Sequence, residues 1–166
     1  MLPVCLLYFV FICYLSEILD LSSNIFHGTI PDEIGNMGFI ERLFVDNNSF
    51  SGTIPSEIGM LTNLLIIEMS VNNLEGSIPS EIGQLTRLQK LSLSSNDLTQ
   101  DIPIEFGMLS DLHTLWVDSL SISTQIPAEV CKLREENLNS FYIDCAPQGT
   151  SSNEIILSCD CCTGCF

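Results

Sequence analysis

Eight cysteines and two histidines have the greatest potential for metal, redox or acid–base chemistry in this chain of 166 residues. The histidines, His27 and His113, occupy different positions of the repeat described below, so they are not expected to share a metal ion or a proton. No segment resembles a serine nucleophile elbow or a phosphate-binding loop, and no pair of carboxylates has catalytic spacing. The sequence therefore predicts a protein that is not an enzyme and that uses no cofactor and no metal.

Six of the cysteines lie beyond residue 130. An even number in one segment is compatible with up to three disulfides, in any of 15 pairings. Zinc is the alternative, but Cys-x-Cys-Cys-x-x-Cys lacks histidine and the usual paired Cys-x-x-Cys spacing. We interpret residues 142–166 as a cysteine-rich C-terminal cap that is closed in an oxidising compartment. The candidate disulfide cysteines are Cys131, Cys145, Cys159, Cys161, Cys162 and Cys165.

The charge of the chain restricts its partners. Acidic residues number 21 against 5 basic ones, which gives a formal net charge of −16. A chain this acidic repels phosphate, so nucleic acid and anionic membrane surfaces are excluded as main partners. Because 46% of the residues are apolar, the chain has enough core material to fold and is not expected to be disordered.

Residues 1–15 form an apolar N-terminal segment that is nearly uninterrupted from Leu2 to Leu15. This length falls short of the roughly 18–20 residues that cross a bilayer, so no stable membrane span is expected. The segment is typical of the hydrophobic region of a signal peptide, although no Lys or Arg precedes it. A truncated start is one alternative, and a hydrophobic helix that covers the open end of the fold is another.

The rest of the chain is dominated by a period of 24 residues. The segment Leu91-Ser92-Leu93 alternates apolar and polar residues, which predicts a short strand with one buried face. Because the same segment recurs without insertions, successive strands are expected to stack in parallel and in register. The recurring Ile-Pro pairs begin at Ile30, Ile54, Ile78, Ile102 and Ile126, and the last apolar strand column includes Val117 and Phe141.

Two further columns predict how each unit turns. A buried Asn at positions 24, 48, 72 and 96 is expected to hydrogen-bond the backbone of its own turn and of the next coil. Glycine at positions 28, 52 and 76 permits an unusual backbone angle. The run Pro55-Ser56-Glu57-Ile58-Gly59 then predicts a short helical or 3₁₀ segment that ends at its glycine.

This unit resembles the leucine-rich repeat, and its Gly-x-Ile-Pro-x-x-Ile-Gly-x-Leu core is similar to the plant-type 24-residue subclass. That subclass is known from receptor-like kinase ectodomains and polygalacturonase-inhibiting proteins, and the cysteine-rich ending is similar to tails of secreted algal repeat proteins. The resemblance implies an α/β right-handed solenoid, with parallel strands on the concave face and short helical or 3₁₀ segments opposite. We expect residues 16–141 to form about five to six coils.

The outward strand positions are the candidate binding site, because their side chains are not needed to pack the core. Large apolar, aromatic and basic side chains at these positions are typical of interface anchors. The nine candidates are Arg42, Phe44, Asp46, Ile66, Glu68, Lys90, Ser92, Trp116 and Asp118. We expect Trp116 to be exposed to solvent, and Asn47, in the triplet Asn47-Asn48-Ser49, is the candidate glycosylation site.

These observations and the resemblance together predict a non-catalytic extracellular scaffold that binds a protein or peptide on its concave face. A structural component of a cell wall or surface coat is one alternative. Inhibition of a secreted wall-degrading hydrolase, which the resemblance also implies, is another. The sequence does not indicate the identity of the ligand or the oligomeric state.

Overall fold

The computed structural model of the protein describes residues 16–99, 101–120, 126–136, 138–143 and 164–165. Within them, short strands alternate with short helical segments and form two parallel sheets. The larger sheet contains β1 (Ile18–Asp20), β3 (Arg42–Phe44), β5 (Ile66–Glu68), β7 (Lys90–Ser92), β9 (Thr114–Val117), β10 (Ser140–Ile143) and β11 (Gly164–Cys165), in that order. The smaller sheet contains β2 (His27–Gly28), β4 (Ser49–Gly52), β6 (Asn73–Ser77) and β8 (Asp97–Thr99).

In the described part of the chain, four 3₁₀ helices connect the smaller sheet to the larger one, and one α-helix lies between β9 and β10 of the larger sheet. Each 3₁₀ helix follows a proline whose φ lies between −77° and −58°. The proline ring fixes this angle, and proline donates no backbone hydrogen bond. The fifth unit has an α-helix at the equivalent place. These helices are η1 (Asp32–Asn36), η2 (Ser56–Met60), η3 (Ser80–Gln84), η4 (Ile104–Met108) and α1 (Ala128–Glu136).

The register of the larger sheet confirms the predicted repeat over its first five strands. Leu43 pairs with Ile67, and Ile67 pairs with Leu91 one coil further on. The prediction was wrong for Phe141, because Phe141 pairs with Leu115 and not with Val117. The unit that contains α1 is therefore two residues longer than the others, and every position after it shifts by two.

The apolar columns meet in one continuous core, with the asparagine ladder along one side of it. Asn72 donates from Nδ2 to Val45 O at 3.0 Å and to Met69 O at 3.2 Å, and its Oδ1 accepts from Phe50 N at 2.9 Å. Asn48 and Asn96 repeat this pattern. The ladder residue thus joins its own turn to the preceding coil, and not to the next coil as predicted.

The glycines of the helical segments were predicted to end these segments, but they are required for a different reason. Gly59 lies inside η2 and does not end it. A Cβ atom on Gly59 would lie 2.6 Å from Glu81 O, and one on Gly83 would lie 2.6 Å from Glu105 O. Because real Cβ contacts are essentially never this short, glycine is required here so that consecutive coils can approach each other closely.

The smaller sheet was not predicted. Its strands begin just after each ladder asparagine, where Phe50, Leu74 and Leu98 are buried between exposed neighbours. At its far edge Gly28, Gly52 and Gly76 adopt φ values of 95°, 74° and 78°, which confirms the expected unusual angle.

The two ends of the chain lie largely outside the described residues. The apolar segment 1–15 is among the residues that are not described, as are most of residues 142–166. Cys131 in α1 is disulfide-bonded, while the side chains of the other five candidate cysteines are not described. Across the described ranges, no helix has the length and apolar character that a bilayer crossing requires.

Candidate binding site on the concave face

The concave face is the side of the larger sheet that points away from the core. The strands present their side chains alternately to the core and to this face, so the outward residues form columns that run across the strands. The first column contains Ile18, Arg42, Ile66, Lys90 and Thr114, and the second contains Asp20, Phe44, Glu68, Ser92, Trp116 and Tyr142. Asp46, Ser70, Ser94 and Asp118 follow the strands as a polar row.

Four side chains from four neighbouring strands contact one another on this face. Lys90 Nζ donates to Glu68 Oε1 at 2.8 Å and lies 4.7 Å from the centroid of the Trp116 ring. Trp116 and Tyr142 make an edge-to-face contact, with centroids 5.8 Å apart and ring planes at 86°. We call Glu68, Lys90, Trp116 and Tyr142 the aromatic cluster. Its one ammonium group is neutralised by the carboxylate and also interacts with the indole face.

Trp116 is therefore less exposed to water than the sequence predicts. It is half-buried, and its Nε1 is shielded from solvent with no hydrogen-bond partner in the described part of the protein. The expectation was wrong because it considered each outward position alone. Lys90 and Trp116 are diagonal neighbours on adjacent strands, and long side chains bridge such a distance.

Ser92 is the second departure from the expected exposure. Its side chain points to the concave face but is only 2% exposed, because it lies beneath longer side chains on both sides. Its hydroxyl lies 2.6 Å from the Ser70 hydroxyl, where either group can donate. Ser92 thus supports the face from below and offers little surface to a ligand.

Arg42 has a different environment from Lys90. It is exposed and forms no ion pair with any residue that the structure describes. Its direct neighbours in the first column are Ile18, which is 45% exposed, and Ile66, which is half-buried. Half-buried Phe44 lies two residues further along the same strand. Within the described residues, the N-terminal half of the face therefore presents a guanidinium without an ion-pair partner among apolar side chains.

The carboxylates of the polar row, and that of Asp20 in the second column, are held by local hydrogen bonds. Ser94 Oγ donates to Asp118 Oδ1, and Asn47 Nδ2 donates to Asp46 Oδ2 at 2.7 Å. Asp20 Oδ1 accepts from Ser22 Oγ at 2.7 Å and from Ser22 N at 3.0 Å. These bonds, the hydroxyl one first, lower the pKa of Asp20 below its ordinary value. The row is thus anionic and arranged in advance of any ligand.

The structure brings most of the candidate residues together and adds one that sequence reasoning missed. Glu68, Lys90 and Trp116 are in contact, whereas Arg42 lies apart from them toward the first coil. Tyr142 was missed because a strict 24-residue period aligns it with Asp118 in the polar row, whereas the two-residue shift pairs it with Trp116. Asn47 is exposed, at a φ of 53° in its turn, and remains a predicted glycosylation site.

A second concave surface lies away from this face. It is a groove of about 730 Å³ between the smaller sheet and the 3₁₀ helices. Its walls include Thr53, Ser77, Pro79, Glu81 and Asp101. No group of three or more His, Cys, Asp or Glu residues converges on a metal-sized site within the described ranges.

Comparison with known proteins adds an independent observation. The Leucine Rich Repeat family model matches residues 17–37, 39–61, 63–85 and 87–109, which together make up more than half of the chain. Each matched segment contains one strand of the larger sheet and the helical segment that follows it. No curated protein matches the chain.

Solved structures of plant proteins have the same fold. PEPR1, in its complex with AtPEP1, is 39% identical over 76% of this chain and 18% of its own, with a TM-score of 0.70. The Arabidopsis receptor kinase HAESA, solved with the peptide hormone IDA and the co-receptor SERK1, is 30% identical over 72% of this chain and 21% of its own, with a TM-score of 0.68. A plant ice-binding protein is 26% identical over 78% of this chain and 41% of its own, with a TM-score of 0.70. The chain spans about a fifth of the length of the two receptors.

Proposed function

Because the chain belongs to the leucine-rich-repeat family, we propose that it is an extracellular, non-catalytic scaffold that binds a protein or peptide on its concave face. The observation that carries this proposal is the content of the face. Phe44, Trp116 and Tyr142 are aromatic side chains that remain partly exposed although the core beneath them is complete. Aromatic side chains and arginine on a rigid surface are typical of the anchors of protein interfaces.

The related receptors support the choice of ligand class. HAESA was solved with a peptide hormone and a co-receptor, and PEPR1 with AtPEP1. Their likeness to this chain also supports an extracellular location, as does the disulfide at Cys131, since disulfides persist in oxidising compartments. We further propose the division into an apolar segment 1–15, a solenoid 16–141 and a cysteine-rich cap 142–166.

A random peptide library displayed on phage tests the proposal, because its use does not require the ligand to be identified first. Panning against the immobilised wild-type protein should enrich peptides that bind the concave face. Phe44→Asp places a charge among the anchors and should reduce capture of the enriched peptides at least tenfold. Ile104→Asp is the matched control, because Ile104 is a 54% exposed apolar residue of η4, away from the face.

Thermal melts of both variants show whether either change disturbs the fold. Equal capture of the enriched peptides by wild type and by folded Phe44→Asp would exclude the concave face as the binding site. In that case a structural role at a cell wall or surface coat would become the leading interpretation.

A further inference from the structure

We propose, as a refinement that rests on the proposed function, that the concave face recognises an extended peptide segment at two points. One point is Arg42, which binds a single acidic side chain. The other is the exposed edge of Trp116 and Tyr142, which binds an apolar or aromatic side chain. The two points lie on the same face but differ in charge, so they fix both the composition and the direction of the segment.

Arg42 supplies the charged point because its guanidinium has no partner among the described residues. Arginine pairs with carboxylates through two parallel hydrogen bonds, which gives such contacts both strength and orientation. Ile18 and Ile66 flank Arg42 on both sides in the sheet register. A ligand that covers these apolar neighbours excludes water from the pair and so strengthens the attraction.

Lys90 does not supply a second charged point. Its ammonium group is 2.8 Å from the Glu68 carboxylate and is also covered by the Trp116 ring. A ligand carboxylate at this position would have to displace Glu68. The face therefore accommodates one carboxylate and not two.

The aromatic cluster supplies the apolar point because its charges cancel internally. Trp116 and Tyr142 are both half-buried, so part of each ring remains available for contact. Aromatic side chains contribute large apolar area with little loss of conformational entropy, which makes them efficient anchors.

The distance between the points sets the spacing in the ligand. Arg42 lies on β3 and Trp116 on β9, which are three strand intervals apart in the sheet. Three intervals of about 4.8 Å, combined with a two-residue offset along the strands, give a separation of about 16 Å. An extended peptide advances about 3.3 Å per residue, so the acidic and apolar side chains should be four to five residues apart.

The remaining charges of the face determine what the rest of the segment can carry. Asp20, Asp46 and Asp118 are partly or fully exposed and form no ion pair with any described residue. The chain as a whole carries −16. A second acidic residue in the ligand would be repelled, whereas basic residues beside the single acid would be attracted.

Fluorescently labelled peptides with blocked termini test the inference directly. Each peptide carries one Asp, one Phe and a flanking Lys, with one to eight Gly or Ser residues between the Asp and the Phe. Fluorescence anisotropy with the wild-type chain should show the tightest binding when Asp and Phe are four to five positions apart, that is, when three to four residues lie between them. Replacing the Asp by Asn in the best peptide should weaken binding at least tenfold.

A charge exchange identifies the contact. Arg42→Glu should bind the Asp peptide at least tenfold more weakly, and it should recover affinity for the same peptide with Lys in place of Asp. Arg87→Glu is the matched control, because Arg87 is an exposed arginine that donates to Asn63 Oδ1 at 2.9 Å, outside the columns of the concave face. This control changes the net charge of the chain by the same amount. Its affinity for the Asp peptide should stay within about twofold of the wild-type affinity.

The possible failures are distinguishable. If the Asn peptide binds as well as the Asp peptide, or if Arg42→Glu and Arg87→Glu behave alike, the two-point inference is wrong while concave-face binding stands. If affinity does not depend on the spacing between Asp and Phe, the proposed geometry is overturned. If no peptide of either the designed set or the displayed library binds, the proposed function itself fails.

Discussion

The first coil and the fourth coil contain the same asparagine in the same turn, yet the two residues have very different surroundings. Asn96 is 7% exposed, donates to Met69 O in the preceding coil and to Leu93 O, and accepts from Leu74 N. Asn24 donates only to Leu21 O and Ser22 O within its own turn, and no coil is described before it. The stabilisation that a ladder asparagine provides thus depends on whether its side chain reaches a preceding coil.

The glycines show the same contrast. Gly28 and Gly52 share a positive φ, but a Cβ on Gly52 would lie 2.9 Å from Thr29 Cγ2, whereas one on Gly28 would meet nothing within 4 Å. Interior positions of the solenoid are constrained from both sides. Among the described residues, positions of the first coil are constrained from one side only.

The largest effect is expected at the interior ladder. Asn96→Ala leaves the buried Leu74 N–H without its side-chain acceptor and removes the Asn96 donor from Leu93 O and Met69 O, although Met69 O still accepts from Asn72 Nδ2. This loss should lower the free energy of unfolding by roughly 3 kcal/mol. Asn24→Ala removes bonds that water can replace and should lower it by less than about 1 kcal/mol. Urea denaturation of both variants measures the two losses. Equal losses would contradict the view that the preceding coil sets the contribution.

The next largest effect is expected at the glycines where consecutive coils approach each other closely. Gly83→Ala places a methyl group against Glu105, with contacts of 2.6 Å to backbone and side-chain atoms, and should lower the free energy of unfolding by about 2 kcal/mol. Gly38→Ala is a control in the first coil at a different position of the repeat, where a Cβ meets nothing within 4 Å. It should be neutral or stabilise the protein by about 0.5 kcal/mol, since alanine restricts the unfolded chain. Thermal and urea unfolding that gave both variants the same stability would show that the coils can move apart freely.

A smaller effect is expected on the concave face. Trp116→Phe removes an indole N–H that has no described partner, while it keeps an aromatic ring beside Lys90 and Tyr142. The removal of a desolvated donor offsets the lost ring area, so the free energy of unfolding should change by less than about 1 kcal/mol. Trp116→Ala removes the whole ring and should cost about 3 kcal/mol. A Phe variant as unstable as the Ala variant would mean that the N–H is in fact bonded.

The smallest effect is expected at Asp20 on the outermost strand β1. Its pKa is lowered in the fold by the Ser22 hydroxyl and by the Ser22 N–H, so folding favours the ionised carboxylate. The resulting stabilisation is present above about pH 4, where an unfolded aspartate is already ionised, and is lost as the pH falls through the lowered pKa. Wild type and Asp20→Asn should therefore differ in urea midpoint at pH 6, and the difference should shrink as the pH falls below about 4. A difference that does not change in acid would assign the effect to something other than ionisation.

Much of the fold follows from the sequence because the same pattern of residues recurs in each coil. The Ile-Pro pairs, the ladder asparagines and the alternating strand residues predicted the parallel strands and their register up to Val117. The register of Phe141 could not be predicted, because an α-helix in the fifth unit contains more residues than a 3₁₀ helix does. The smaller sheet was overlooked because its strands contain at most one buried residue each, such as Phe50 or Leu74, and so show little alternation.

The site was predictable in position but not in detail. Periodicity placed Arg42, Lys90 and Trp116 on one face, and the structure agrees. It could not show that Lys90 is already paired with Glu68, because that contact depends on diagonal reach across strands and not on spacing along the chain. The distinction between Arg42, which has no ion-pair partner among the described residues, and Lys90, which is paired with Glu68, therefore required the three-dimensional structure.

The stacking of parallel strands also has a mechanical consequence. Strands such as β3 and β5 are hydrogen-bonded side by side along the axis of the solenoid, so tension applied along that axis loads the bonds between coils in line with the force. Coils should then detach one at a time from an end, since each is held only by its neighbours. Each detached coil releases 24 residues, or about 80 Å of extended chain, in exchange for about 5 Å of folded height. A small solenoid of this kind can therefore extend many times its own length before it loses its last coil, and each coil that detaches dissipates part of the applied load.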